Sequence, residues 1–146
     1  MFDLWIAGLL AGLLGTIALS IVLSAAMKGA PPAPATLWAK VSGSSPDTGS
    51  SYLVGNVLHY AYGGGMGIVF ALLANALGFS SLFWLWGIVW GVVLLMLLMM
   101  MWGPITGMSK QMKEMERSAR SAAMMASMVA HIGYGLVTGL LTPVFS

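Results

Sequence analysis

The stretch TGSSYLVGNVLHYAYGGGMGIVFALLANALGFSSLFWLWGIVWGVVLLMLLMMMWGPITGMS, residues 48–109, decides the fold, because it holds no Asp, Glu, Lys or Arg between Asp47 and Lys110. A helix needs about 20 mainly apolar residues to cross the hydrocarbon of a bilayer. A run this long therefore holds two crossings and the turn between them. Outward on either side lie two more uncharged runs, residues 4–27 and 121–146, each long enough for one crossing. Backbone that faces lipid must satisfy its own N–H and C=O groups, and the apolar runs lack the ten-residue alternation of a barrel, so the crossings are helices. The expected fold is an all-α integral membrane protein: one domain, residues 1–146, built as a four-transmembrane-helix bundle. Its composition agrees, since 59% of the residues are hydrophobic and 7% charged, a balance that cannot cover a soluble globule with a solvated surface.

The spans fall at about residues 4–27, 51–77, 82–102 and 121–144. Asp3 and the absence of a basic residue before Lys28 argue that the first run is a retained helix and no cleaved signal peptide. It stops at the proline-rich segment 29–34. In the loop that follows, residues 36–41 could form a short interfacial turn with Leu37 and Trp38 at the headgroups. Residues 78–81 read as a tight turn, and Phe83, Trp84, Trp86 and Trp90 as an interfacial aromatic belt. Gly103 and Pro104 end or kink the third span, and residues 108–120 form an amphipathic stretch with Glu116 and Arg120 at i,i+4 spacing. All six basic residues lie in the two loops 28–50 and 103–120. Lys and Arg stay on the cytoplasmic side, so both loops are expected there, with the N- and C-termini on the non-cytoplasmic side of a prokaryotic inner membrane. Six basic residues used this way report topology and give no sign of a nucleic-acid partner. With no cysteine in the chain, disulfides and thiolate metal sites are excluded.

The two histidines share one pattern, H-x-x-Y-G-x-x-x-G: His59, Tyr62, Gly63 and Gly67 in span two, and His131, Tyr134, Gly135 and Gly139 in span four. Spans one and three carry a weaker W-x-x-G-x-x-x-G, as Trp5, Gly8, Gly12 and as Trp84, Gly87, Gly91. Read together, these make the chain two parallel helical-hairpin repeats. Spans two and four then run parallel, with both rings at similar depth and free to face each other across a pseudo-axis. Small residues recur every fourth position: Gly8, Gly12, Thr16, Ser20 and Ser24 in span one, Gly55, His59, Gly63 and Gly67 in span two, Ser127, His131, Gly135 and Gly139 in span four. Such rows let helices approach closely in lipid.

Histidine inside a membrane helix is most often an interhelical hydrogen-bonding group. The sharper alternative makes His59 and His131 axial ligands of one haem b, with Tyr62 and Tyr134 hydrogen-bonding and the glycines giving a flat macrocycle room. Bare-metal and proton-relay roles are further readings. Thirteen methionines add a soft-metal option for Cu(I), in which Met124 and Met128 share a face with His131, against the plainer role of Met as apolar filler. Transport lacks ionisable residues inside the spans, and only Gly63-Gly64-Gly65 could unwind a helix near its middle. Neither histidine has an acidic partner nearby in sequence, and no hydrolase motif is present.

Gly15-Thr16 in a small-residue first span, a proline-rich first loop and the H-x-x-Y-G-x-x-x-G pattern resemble small four-span prokaryotic membrane proteins of unknown function. That resemblance implies a compact inner-membrane bundle and no activity. The expectation is a non-catalytic membrane module, a homo-oligomer or an accessory subunit of a larger membrane complex. The alternatives are a bis-histidine haem electron carrier and a small-molecule or copper transporter.

Overall fold

The computed structural model describes residues 2–27, 33–79, 81–102, 113–114 and 116–146. Its elements are α1 (Leu4–Met27), α2 (Ala33–Ser42), α3 (Gly49–Ala76), α4 (Phe83–Leu97) and α5 (Arg117–Phe145), with a π-helical turn, Leu98–Trp102, continuing α4. No strand occurs among the described residues. Four of the helices, α1, α3, α4 with its extension, and α5, are long and apolar enough to cross a membrane. The chain is thus a multi-pass, four-helix membrane bundle.

Local chemistry explains the boundaries. Thr48 caps α3 by accepting from the backbone N–H of Ser51 at 3.4 Å, a side-chain answer to one of the orphan donors of a helix start. At the other end Gly78 takes φ +70°. The N–H groups of Gly78 and Phe79 reach back to the carbonyls of Asn75 and Ala74 at 3.1 and 2.9 Å, the paired bonds of a Schellman ending. Phe79 then stacks on Trp86, ring centroids 4.2 Å apart, which fixes the α3–α4 turn.

Three expectations need correction. Residues 33–42 form the helix α2, with Pro34 inside its first turn where a missing N–H costs nothing. Ala35 and Ala39 are buried and Trp38 and Val41 are exposed. Gly63-Gly64-Gly65 does not unwind α3, which is continuous: Gly63 and Gly64 are buried against Thr16, Leu9 and Leu13 of α1, and that packing holds the helix. The last span begins earlier than its apolar run, at Arg117, since the polar first turn lies where a basic helix end meets the headgroups. Gly29–Pro32, Gly103–Pro104, and Met108 and Met112 of the amphipathic stretch lie outside the described residues.

In space the helices follow the order α3, α1, α5, α4, each antiparallel to the next, so α3 and α5 run parallel. A central cluster of Leu19, Leu94, Ala130 and Tyr134, flanked by Val22, Leu23, Met66 and Trp90, draws on all four. The backbone N–H of Phe2 donates to the carbonyl of Phe145 at 2.8 Å, tying the start of α1 to the end of α5.

The seams are made of glycine. A methyl carbon built on Gly8 would lie 2.7 Å from the carbonyl oxygen of Gly67, and one on Gly12 would lie 2.8 Å from the Cα of Gly67. In the other pair, a methyl on Gly87 would lie 2.8 Å from the Cα of Gly139. Such contacts leave no room for any side chain, the close approach that small residues permit in lipid. Gly12 meets the Gly63 carbonyl and Gly67, while Gly87 meets the Gly135 carbonyl and Gly139. The structural counterpart of Gly12 is therefore Gly87, one turn from the Gly91 that the W-x-x-G-x-x-x-G alignment selects. Seam position, and no Trp spacing, sets the correspondence.

Candidate functional site

Toward the middle of their spans, Thr16 and Ser20 on α1, His59 on α3 and His131 and Tyr134 on α5 carry polar groups. Thr16 is buried and gives its hydroxyl to the Gly12 carbonyl at 2.7 Å while its side chain fills the space over Gly63. One turn along α1, Ser20 Oγ lies 3.2 Å from His59 Nε2. On α5 the His131 Nδ1–H donates to the carbonyl of Ser127 at 2.8 Å. A carbonyl only accepts, so this bond places a proton on Nδ1 and leaves Nε2 as the lone-pair nitrogen of the neutral ring.

Tyr134 links the halves. Its hydroxyl donates to the carbonyl of Gly63 at 2.7 Å, and its ring lies against Gly15 of α1. Because Gly15 and Thr16 sit level with both Tyr134 and Gly63, the two histidines, each four residues before its motif glycine, lie at similar depth. The edge of the Tyr60 ring faces His59 at a centroid distance of 5.8 Å.

The sequence-derived residues thus divide. His59 and His131 lie at similar depth on the parallel helices α3 and α5, each about one turn from the Tyr134–Gly63 bond. Tyr134 is 2% exposed and bonded, whereas Tyr62, its motif twin, is 38% exposed. Gly8, Gly12, Gly63, Gly67, Gly135 and Gly139 are helix contacts, and Gly55 packs against Ala35 of the interfacial helix α2. The room beside Gly63, Gly67, Gly135 and Gly139 that a haem would need is taken by α1 and α4. Met124 and Met128 are exposed on α5, while His131 is buried. Among the described residues no group of three or more His, Cys, Asp or Glu could hold a metal ion.

Two features escape the motif-based reading. The row Ala7, Ala11 and Gly15 forms the α1–α5 seam, with both alanines at 0% exposure; its small residues at every fourth position were the available signal. The second is Trp90, whose indole N–H donates to the Met66 carbonyl at 3.2 Å and whose ring leans on Phe70 at 6.4 Å. Nothing in the sequence separates it from a lipid-facing belt. Beside it, Phe70, Leu73, Leu77, Phe79, Trp86 and Val89 line an open apolar cleft of about 150 Å³ between α3 and α4.

No protein-family model matches the chain, and comparison with curated proteins and with solved structures found no match.

Proposed function

We propose that this chain is a non-catalytic membrane module that works by association, as a homo-oligomer or as an accessory subunit of a larger membrane complex. One observation carries the reading: the bundle uses its glycine seams internally and leaves the α3–α4 side unclosed, with an apolar cleft walled by aromatic rings. Rigid aromatic walls around a cleft are the kind of surface on which protein anchors seat. The matched glycine contacts of the α1–α3 and α4–α5 pairs support an origin by duplication of a helical hairpin.

Because the chain has no cysteine, single cysteines can be introduced cleanly. Val89→Cys at the cleft is expected to give a cross-linked species of higher mass in native membranes, and Ile21→Cys on an exposed part of α1 is not. A monomeric mass in mild detergent with no cross-link at Val89 would remove the reading.

The orientation follows from charge. Lys40 on α2 and Arg117 and Arg120 at the start of α5 lie at one end of the bundle, which we assign to the cytoplasm of a prokaryotic cell. A cysteine at Ser81 is then labelled from outside intact cells and one at Ser45 is protected; the reverse pattern inverts the assignment. For the haem alternative, the filled glycine rows predict a colourless protein after haem-replete expression. A Soret band with sharp reduced α and β bands, lost in both His59→Ala and His131→Ala, would replace the module with a b-type cytochrome.

A further inference from the structure

We propose that Arg117 and Arg120, at the start of α5, form a binding surface for the phosphate groups of anionic membrane lipids. The surface lies at the charged end of the bundle, apart from the α3–α4 cleft, and the proposal holds whichever side of the membrane that end faces.

Length places the two side chains at the depth of the headgroups. At about 1.5 Å per residue the 29 residues of α5 span about 43 Å, against a hydrocarbon core of about 30 Å. The surplus falls at the start of the helix. The other end is tied through the Phe145 carbonyl to Phe2 at the head of α1 and closes on apolar Val144 and Phe145, whereas the first turns read RSARS. Counting about 20 residues back from Phe145 reaches Met125 and Ala126. Arg120 then sits roughly 8 Å and Arg117 roughly 12 Å outside the hydrocarbon, in and just above the headgroup layer. Long basic stems reach along the helix to set their charge at that level.

The same register clears the neighbouring helices away. Gly15 lies against Tyr134 and Thr138, and Gly91 against His131. The end of α1 at Met27 and the end of the π-helical turn at Trp102 therefore come level with the turn of α5 from Arg120 to Met124. Arg117 stands past both, exposed, with the half-buried Arg120 three residues on along the same face.

No group of the chain neutralises this pair. All four acidic residues are among the described ones, and among the described residues neither arginine makes an ion pair. Glu116, at i,i+4 from Arg120, gives it a backbone bond alone, the Arg120 N–H donating to the Glu116 carbonyl at 2.9 Å. Two like charges on one helix face repel, and both oppose the positive end of the helix dipole. Their place on the first turn therefore works against the helix itself. Holding positive charge on one side of the membrane asks only that it lie somewhere in the loop. An external anion explains why it lies on this turn. A guanidinium gives two parallel N–H bonds to phosphate oxygens, a fit that a point charge lacks. Lipid phosphates already occupy this depth, whereas an acidic protein partner would have to be brought to it.

The test reconstitutes the full chain in phosphatidylcholine vesicles with a trace of chain-labelled spin probe, either phosphatidylglycerol or phosphatidylcholine. Electron paramagnetic resonance reads the fraction of each probe held at the protein. The wild type should hold phosphatidylglycerol about threefold more strongly at about 0.01 M salt and less than about 1.5-fold at 1 M, where charges are screened within about 3 Å. Arg117→Gln with Arg120→Gln should bring the low-salt preference below about 1.5-fold, while Lys40→Gln, which removes a charge from the same end, should leave it above about twofold. Should the double variant not reconstitute, Arg117→Gln alone should still lower the preference. A wild type without preference, a preference indifferent to salt, or one that survives loss of both arginines would overturn the proposal. So would a wild type without preference whose Ser118→Cys variant cross-links to a heavier species in native membranes, a result that would give the surface to an acidic protein.

Discussion

Two pairs of helices hold corresponding places in the bundle, α1 against α5 and α4 against α3. With Gly12 matched to Gly87, Gly15 corresponds to Trp90 and Ala11 to Trp86. Thr138 and Tyr134, which crowd Gly15, correspond to Met66 and Tyr62. In the first pair the small residues of α1 let α5 close on it, with the Tyr134 and Thr138 side chains and the Tyr134 carbonyl seated against Gly15. In the second, Trp90 reaches the Met66 carbonyl through its indole N–H, bridging at the length of a side chain what Gly15 closes directly. Trp86, 39% exposed where Ala11 is 0% exposed, walls the resulting cleft. Tyr134 and Tyr62 register the difference, one buried and bonded, the other half out of the bundle. Residue size at two positions therefore converts one packing motif into a closed seam on one side and an open one on the other.

The largest effect is expected in a third contact that serves as the closed reference, the α1–α3 seam, where the backbones touch. Gly67→Leu forces four carbons into the space held by Gly8 and Gly12. Overpacking of this kind should cost about 3 kcal/mol or more, with loss of the folded fraction in a denaturant titration in detergent. Gly65→Leu, on the same helix with nothing within 4 Å of its added carbon, should stay within about 0.5 kcal/mol of wild type. Equal losses would mean that added bulk anywhere on α3 is costly, and the seam would not be the cause.

A smaller effect is expected on the open side. Trp90→Ala removes the indole bond and the contact with Phe70, but the cleft already lets its walls move. The expected cost is about 2 kcal/mol, below the range for a fully enclosed tryptophan. The same unfolding measurement checks it. A loss as large as that of Gly67→Leu would show that α3 and α4 depend on this bridge as fully as α1 and α3 depend on glycine.

How far the sequence carries differs between these sides. The uncharged run 48–109 suffices for the count of helices, and the span 4–27 matches α1 residue for residue, because hydropathy and helix length are local quantities. The H-x-x-Y-G-x-x-x-G pattern also places both histidines correctly on parallel helices. Partnership is another matter. Ser20 and His59 are 39 positions apart, and Tyr134 and Gly63 are 71 apart, so their bonds depend on the rotation of each helix about its axis. That rotation is set by which small residue meets which, and Gly8, Gly12, Gly87 and Gly91 offer two registers one turn apart. The aromatic residues of α4 mislead for the same reason: a belt and a wedge use identical side chains, and only the neighbour across the gap tells them apart.

The tyrosines give the finest test of the asymmetry. Tyr134→Phe deletes one hydroxyl and leaves the Gly63 carbonyl, already in the α3 ladder, without its second donor. A net loss of about 1 kcal/mol is expected, or nearer 0.6 kcal/mol if the unfolded chain in detergent finds substitute partners, as polar groups in membrane helices do. Tyr62→Phe should change stability by less than about 0.3 kcal/mol, since a residue this exposed has little fixed structure to lose. If the two substitutions cost the same, Tyr62 must spend much of its time bonded to the Gly135 carbonyl, the mirror of the Tyr134 bond. The open side would then be one of two exchanging arrangements, and the wedge of Trp86 and Trp90 would set a population where the static packing suggests a fixed gap.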